Sequence, residues 1–369
     1  MPKYLKQKKE RYLHEPGNVK LVLEDGSVFK GFAFGTRKPV AGEVVFNTGM
    51  VGYPESLTDP SYHGQILNLT YPLIGNYGVP GREREEQKIL KYFESERIQV
   101  AALIIANYPD AHSHWNSKTS LSEWLRNESI PGLFNIDTRM LTKKLREQGT
   151  MLGKIVYGRE SIGFTDPSKR NLVAEVSIKE PVLYKKGKKR VIIVDCGVKN
   201  NIIKAFLRRN ITVLRVPWDY CLADEPTDGI IISNGPGDPT KCRETIENIK
   251  KAMEHHIPML GICLGSQILA LASGAKTYKL KYGHRSQNQP CIEAGTKRCY
   301  ITSQNHGYAV DDNSLPEDWR TWFYNNNDRT NEGLIHISQP FFGAQFHPEA
   351  SPGPDDTEFL FDMFLRAML

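Results

Sequence analysis

From residue 190 to the end, short apolar runs alternate with amphipathic stretches, and this rhythm restricts the fold more than any other feature of the 369-residue chain. Residues 191–194, 211–216, 229–232 and 258–262 read as strands. Residues 200–209, 242–255 and 264–272 read as the helices among them, and 359–369 as a final helix. Strands alternating with helices at this spacing build a mostly parallel sheet covered by helices on both faces. Such sheets bind ligands at the carboxyl ends of their strands. The loops after 229–232 and 258–262 are therefore expected to share one crevice.

Gly261-Ile262-Cys263-Leu264-Gly265 falls at one of these strand-to-helix turns. Its spacing is that of a Gly-x-Ser-x-Gly nucleophile elbow with cysteine in the serine's place. The glycines allow a tight turn that pushes the middle side chain out of the sheet, and the following helix sets partial positive charge near the sulfur. A buried, inert cysteine fits the pentapeptide equally well. Phe346-His347-Pro348-Glu349 comes 84 residues after Cys263. In extended chain, residues two apart face the same side. His347 and Glu349 then both face the cleft, the carboxylate fixing the imidazole tautomer as the orienter of a nucleophile–base–orienter triad. A surface turn would explain His-Pro-Glu by itself; with the elbow in the same half, catalysis is the better reading. Ser233-Asn234-Gly235-Pro236-Gly237-Asp238-Pro239 has the composition of a plain turn. At a strand's carboxyl end its backbone N–H groups, with that of Leu264, would instead meet a developing oxyanion. Gln304–Tyr308 and the stretch 282–290 read as polar loops, and His284 and His306 as surface or structural histidines.

The first half mixes strand and helix. A hairpin over 20–29 turns at Asp25-Gly26, a pair that tolerates positive φ, and 43–46, 65–69 and 100–105 read as strands. One helix runs from Ser120 to about Asn127 with Glu123 completing a capping box, and another over 138–147 stops at Gly149. Residues 156–189 are Lys-rich and poorly periodic and read as a linker, with 172–178 as a short strand at most. The domains expected are thus a basic flexible tail (1–17), a mixed α/β domain (18–155), the linker, and the α/β domain 190–369.

The formal net charge is +6, but residues 1–20 carry +4 and the run from Lys185 to Arg190 carries +5, which leaves −3 for the rest. The folded body is not basic, and no nucleic-acid partner is expected. Cysteines 196, 221, 242, 263, 291 and 299 show no Cys-x-x-Cys pair and no metal-ligand spacing, so no metal is expected. With no apolar leader and no membrane-length apolar run, reduced thiols in a cytoplasmic protein are the expectation.

Taken in order, Ser-Asn-Gly-Pro-Gly-Asp-Pro, Gly-Ile-Cys-Leu-Gly-Ser-Gln, Gln-Asn-His-Gly and His-Pro-Glu resemble the motifs of class I, triad-type glutamine amidotransferases over all of 190–369. The first half, through Gly42–Glu55, 57–62, 70–78 and Ile136-Asp137-Thr138-Arg139, resembles the small subunit of carbamoyl-phosphate synthetase. The wording of 48–55 and 342–348 is similar to the amidotransferase region of fused eukaryotic pyrimidine-pathway proteins, whose chains continue into synthetase, aspartate transcarbamoylase and dihydroorotase.

The resemblance implies a glutamine-hydrolysing component with Cys263, His347 and Glu349 as the triad. It implies glutamine and oxyanion contacts at Gly49, Gly235, Gly237, Leu264, Gln267, Asn305, Gly307 and Tyr308. The chain itself would need no cofactor; ATP, Mg and bicarbonate would be used by a synthetase partner or fused domain. Ammonia would pass to that partner for carbamoyl phosphate, as the first step of pyrimidine synthesis. Tyr308 stands where the family commonly has Phe, and Gly49 where some members have Ser. Ser266 stands where it usually has His, one helical turn beyond the nucleophile, where it would help shape the glutamine pocket. An amidotransferase fold kept to stabilise or regulate the synthetase, and a stand-alone hydrolase of γ-glutamyl compounds, are the competing readings. The ammonia-dependent relative has lost the cysteine that this chain keeps.

Overall fold

The computed structural model describes residues 19–109, 111–222 and 225–368; the expected basic tail lies outside them. The chain forms two compact units. One comprises the segment ending at Asn47 with 64–81 and 100–166; the other comprises 48–63, 82–99 and 167–369.

The first unit grows from the expected hairpin, β1 (Val19–Leu23) and β2 (Val28–Gly35), and continues through β3 (Val40–Asn47) and β4 (Gln65–Leu69). β5 (Val79–Pro80), β6 (Ala102–Ile104), β7 (Ser117–Thr119), β8 (Pro131–Phe134) and β9 (Met151–Tyr157) complete it. Seven of these close a barrel in the order β1-β2-β8-β6-β4-β3-β9, while β5 and β7 pair apart. Alternation along β1 sends Leu21 and Leu23 inward with Val44, Ile66, Leu103 and Ile155. The helix Leu121–Asn127 starts where Ser120 accepts the Glu123 N–H at 3.2 Å. The Glu123 carboxylate takes the Thr119 hydroxyl at 2.7 Å, a partner the capping-box reading did not include. The helix Thr138–Gln148 ends at Gly149, whose φ of 105° suits only glycine.

In the second unit β10 (Val182–Tyr184), β11 (Arg190–Asp195), β12 (Thr212–Pro217), β13 (Gly229–Ile232) and β14 (Met259–Ile262) precede the long β15 (Thr277–Glu293) and β16 (Cys299–Val310). β17 (Trp319–Asn325), β18 (Asn331–His336) and β19 (Phe341–Ala344) follow. One ten-stranded sheet runs β10-β12-β11-β13-β14-β19-β18-β17-β15-β16. The block β12-β11-β13-β14-β19 is parallel. Side chains of β11 alternate between two cores: Val191 and Ile193 pack with Phe206, Phe361 and Phe364, Ile192 and Val194 with Ile249 and Ile268. Phe206 meets Phe361 edge-on at 5.3 Å and is fully buried. Phe206→Ala should cost about 3–5 kcal/mol, read as a lowered urea midpoint at constant slope.

Two expectations need correction. The segment 172–178 contains a helix, Leu172–Val176, because Asn171 caps it by accepting the Ala174 N–H at 3.0 Å. The stretches 282–290 and Gln304–Tyr308 are paired strands, not loops: His284 lies opposite His306 and Arg285 opposite Asn305 in the β15/β16 ladder. The linker also supplies the edge strand β10. No described helix is long and apolar enough to cross a membrane.

Candidate active site

Cys263 joins β14 to the helix Leu264–Ser273 with φ 55° and ψ −108°, a conformation that costs a non-glycine residue about 1–3 kcal/mol. Its neighbours make the turn possible. A Cβ at Gly265 would come within 1.9 Å of the Ile232 carbonyl oxygen, and one at Gly261 within 2.4 Å of the Gly265 carbonyl oxygen. The Cys263 N–H is fixed to the Ala344 carbonyl at 2.8 Å. The sulfur is buried, and its S–H points to the Asn305 carbonyl at 3.6 Å.

His347 reaches the same place from the loop after β19, its N–H held by Ser303 O at 3.0 Å. Nδ1 donates to Glu349 Oε1 at 2.7 Å, which fixes the tautomer and turns Nε2 the other way. Nε2 is buried without a hydrogen-bond partner. Burial opposes charge on this ring. Glu349 outweighs it, Lys199 pulls the other way, and the Cys263 sulfur adds to the effect of Glu349, so the imidazole is pushed up to about 10.

Glu349 is in turn held by a residue the sequence reading passed over. Lys199 Nζ lies 3.0 Å from Glu349 Oε1 and donates to the Ala350 carbonyl at 2.6 Å; the two side chains are only 4% and 0% exposed. Burial works against both charges. The lysine and His347 nevertheless hold the Glu349 carboxyl down to about 2, while Glu349, Glu94 and Asp59 raise the Lys199 ammonium above its usual range. Lys199 sits in the loop at the carboxyl end of β11. The rule that singled out the loops after β13 and β14 applies to this loop too, and would have found it.

Glu94 makes the site more local than its sequence distances suggest. Its carboxylate accepts the Asn201 N–H at 3.0 Å and the Ser351 hydroxyl, and its carbonyl accepts the Asn200 N–H at 2.9 Å. It thus caps the helix Asn200–Arg208, whose own N-cap, Lys199, makes no side-chain cap.

The other expected residues are distributed around this centre. Gly235 packs so closely that a Cβ there would lie 2.0 Å from Cys196 O and 2.9 Å from Leu264 Cδ2, whereas one at Gly237 would meet Leu172 at 3.4 Å. Gln267 Nε2 donates to Tyr308 O and to Gln345 Oε1, each at 2.9 Å. The Tyr308 carbonyl also faces His306 Nδ1 at 2.8 Å. Asn305 Nδ2 donates to Asp59 Oδ2 at 2.9 Å. Gly307 lies beside Arg285, with 3.2 Å from a Cβ position to the guanidinium. Gly49 stands on a loop fastened to β15 by Thr48 N to Arg285 O at 3.3 Å and by Gln287 Nε2 to Val51 O at 2.7 Å. Ser266 is buried against β19, where a Cβ at Gly343 would come within 2.5 Å of its Oγ. It packs on the sheet at Gly343.

Sequence profiles match both halves: "Glutamine amidotransferase class-I" over residues 192–367 and "Carbamoyl-phosphate synthase small chain, CPSase domain" over 21–155. The "Carbamoyl phosphate synthase arginine-specific small chain" of Neosartorya fischeri is 48% identical over 371 residues, covering 98% of this chain and 82% of that protein. The chain belongs to the carbamoyl-phosphate synthase small-chain family. "Multifunctional protein CAD" of Squalus acanthias is 56% identical over 352 residues, 94% of this chain but 16% of that protein. "Carbamoyl-phosphate synthase (ammonia), mitochondrial" of Aquarana catesbeiana is 50% identical over 350 residues, 94% of this chain and 23% of that protein. The chain therefore spans less than a quarter of the length of these two longer relatives.

In this small-chain member, Cys263, Lys199, His347 and Glu349 all lie within the class I match, whereas Asp59 and Glu94 lie within the small-chain match. All six cysteines are free. Among the described residues, His284, His306 and Glu332 could together ligate a metal, their ligand atoms lying within 4.8 Å of one another. The two nitrogens of His284, however, face Glu332 at 3.1 Å and Asp328 at 2.8 Å. Despite burial these carboxylates push it up to about 9. A charged imidazolium thus already supplies the cation that this cluster calls for.

Proposed function

We propose that the chain is the glutamine-hydrolysing component of a carbamoyl-phosphate synthase. The observation that carries this is the buried relay Lys199–Glu349–His347, which leaves Nε2 as the free ring nitrogen with Cys263 beside it. In the proposed reaction Cys263 gives its thiol proton to His347 Nε2, and the thiolate attacks the side-chain amide carbon of glutamine. The oxyanion that forms is met by the Leu264 N–H and by the backbone of Gly235 and Gly237. The proton on His347 Nε2 passes to the departing nitrogen, ammonia leaves, and a γ-glutamyl thioester remains on Cys263. A water deprotonated by His347 then attacks the thioester; glutamate is released and the sulfur is regenerated. Gly49, Gln267, Asn305, Gly307 and Tyr308 are the proposed glutamine contacts. Since Gln267 Nε2 is already engaged by the Tyr308 carbonyl and Gln345 Oε1, Gln267 Oε1 is the group of that side chain proposed to meet the substrate.

We further propose that the ammonia passes to a synthetase subunit or fused domain, which combines it with bicarbonate using ATP and Mg in the cytoplasm. Pyrimidine synthesis is the proposed pathway, supported by the 56% identity to the shark multifunctional protein. The test is to incubate the folded chain with glutamine, alone and with a synthetase, ATP and bicarbonate. Glutamate release that the synthetase stimulates is expected. No glutamate in either condition would overturn the proposal.

A further inference from the structure

Two stretches bear on Cys263: the loop beginning at Ser233 after the neighbouring strand β13, and the edge strand β16 at Asn305, whose carbonyl takes the Cys263 S–H. Both are fastened to one corner of chain about two hundred residues before the sulfur in the sequence. That corner is Asp59–Ser61. Asp59 Oδ2 accepts the side-chain N–H of Asn305 at 2.9 Å. Its other oxygen accepts the Ser61 N–H at 2.9 Å and faces Asn234 Nδ2 at 3.4 Å. Asn234 Nδ2 also donates to Ser61 Oγ at 2.9 Å, while Asn234 Oδ1 accepts the Lys199 N–H at 3.1 Å. All four of Asp59, Ser61, Asn234 and Asn305 are buried, so each of these bonds is made without competition from water.

The corner is rigid for local reasons. Asp59 ends the helix Tyr53–Thr58 and caps the single 3₁₀ turn Pro60–Tyr62. The preceding Thr58 is gripped from the segment 82–99: its hydroxyl accepts the Glu94 N–H at 2.9 Å and its carbonyl the Ser95 hydroxyl at 2.6 Å.

We propose that Asp59 is a positioning residue for glutamine binding, holding Asn305 and, with Ser61, the Asn234–Gly237 loop at the spacing the substrate requires. The proposal rests on the glutaminase reading above. It assigns a part in the glutaminase site to a residue outside the class I amidotransferase match, which begins at residue 192.

The decisive variant is Asp59→Asn in the full chain. It keeps shape and volume, but both carboxylate oxygens are now acceptors, and an amide must turn its NH₂ towards either Asn305 Nδ2 or the Ser61 N–H. One donor then faces another. KM for glutamine should rise about tenfold, the loss expected for one buried charge-assisted hydrogen bond. The kcat should stay within about threefold, since the reacting groups are untouched, and the melting temperature should be close to that of the parent chain. Asp59 also adds to the field on Lys199. An effect routed through Lys199 and Glu349 would lower kcat and leave KM alone, so the split between the two constants separates the routes. Ser61→Ala, which frees only Asn234, should give a smaller rise in KM and serves if Asp59→Asn folds poorly. An active parent chain whose KM is matched by both variants overturns the positioning role alone. A fall confined to kcat, or one that tracks lost folded protein, overturns it as well. An inactive parent chain overturns the glutaminase reading and this proposal with it.

Discussion

Cys263→Ser should reduce glutamine hydrolysis on the order of 10³-fold or more, because the elbow offers no second nucleophile and the serine oxygen is a far weaker one at neutral pH. The exchange is nearly isosteric, so the turn enforced by Gly261 and Gly265 and the N–H bond to Ala344 should survive. In an enzyme assembled with its synthetase, carbamoyl phosphate synthesis from added ammonium should persist at close to the parental rate, while synthesis from glutamine disappears. Both are read from one assay with two nitrogen sources. Glutamine-dependent synthesis that survives the change would show that another group is the nucleophile.

The second large effect is expected for Lys199→Met. The lysine and Glu349 are both buried, and removing one member of such a pair strands the other charge at a cost of about 3–5 kcal/mol. It should also change how the protein responds to acid. Glu349 has its carboxyl held down to about 2, with Lys199 the larger of the attractive causes. A carboxyl depressed in the folded state contributes stability above its unfolded pKa, near 4.5, and that stability is lost as the pH falls through the folded value. Without Lys199 the folded pKa rises towards or past the unfolded value, so the destabilisation should be complete near neutral pH and shrink as Glu349 takes up its proton in acid. His347 behaves oppositely. Its pKa is raised to about 10, so its contribution is complete below its unfolded value and fades as pH climbs through 10. Lys199 lowers the His347 value, so its removal should add no further deficit on the alkaline side through this ring. A stability deficit that is largest at neutral pH and narrows in acid is therefore the signature sought in urea titrations across pH; a deficit that widens in acid would contradict it. Glutaminase kcat should fall in the same variant, because Glu349 would no longer be held square to Nδ1.

What could be read in the sequence was mostly local chemistry. The elbow was legible because two glycines, each two residues from a cysteine, answer a steric demand that the 1.9 Å approach to Ile232 makes explicit. The helices capped by Ser120 and ended by Gly149 announced themselves within four residues. The strands 277–310 did not, since their buried positions carry His284, Arg285, Gln304, Asn305 and His306. His284 is met by Glu332, His306 by Gln304, Asn305 by Asp59 and Arg285 by the Tyr282 carbonyl, and a polar string without apolar alternation looks like a loop. The helix Leu172–Val176 depends on the Asn171 cap, whereas Val173, Val176 and Ile178 are β-branched residues that favour strand. Lys199, Glu94 and Asp59 gain their meaning from partners 35 to 257 residues away, a range over which no pattern in a single sequence speaks.

The borrowing of 48–63 and 82–99 by the second unit also has a bearing on how the protein is made. A ribosome finishes every strand of the barrel when it reaches Tyr157, yet Tyr53, Leu57, Tyr62 and Phe93, all buried in the finished protein, belong to the unit whose sheet has not been synthesised. Until the β11–β14 region emerges, these side chains are without their partners, and the nascent chain carries sticky surface that only later translation can cover. Pausing between codons 160 and 260 should therefore be hazardous, and a chaperone that shields aromatic segments during that interval should raise the yield of native protein.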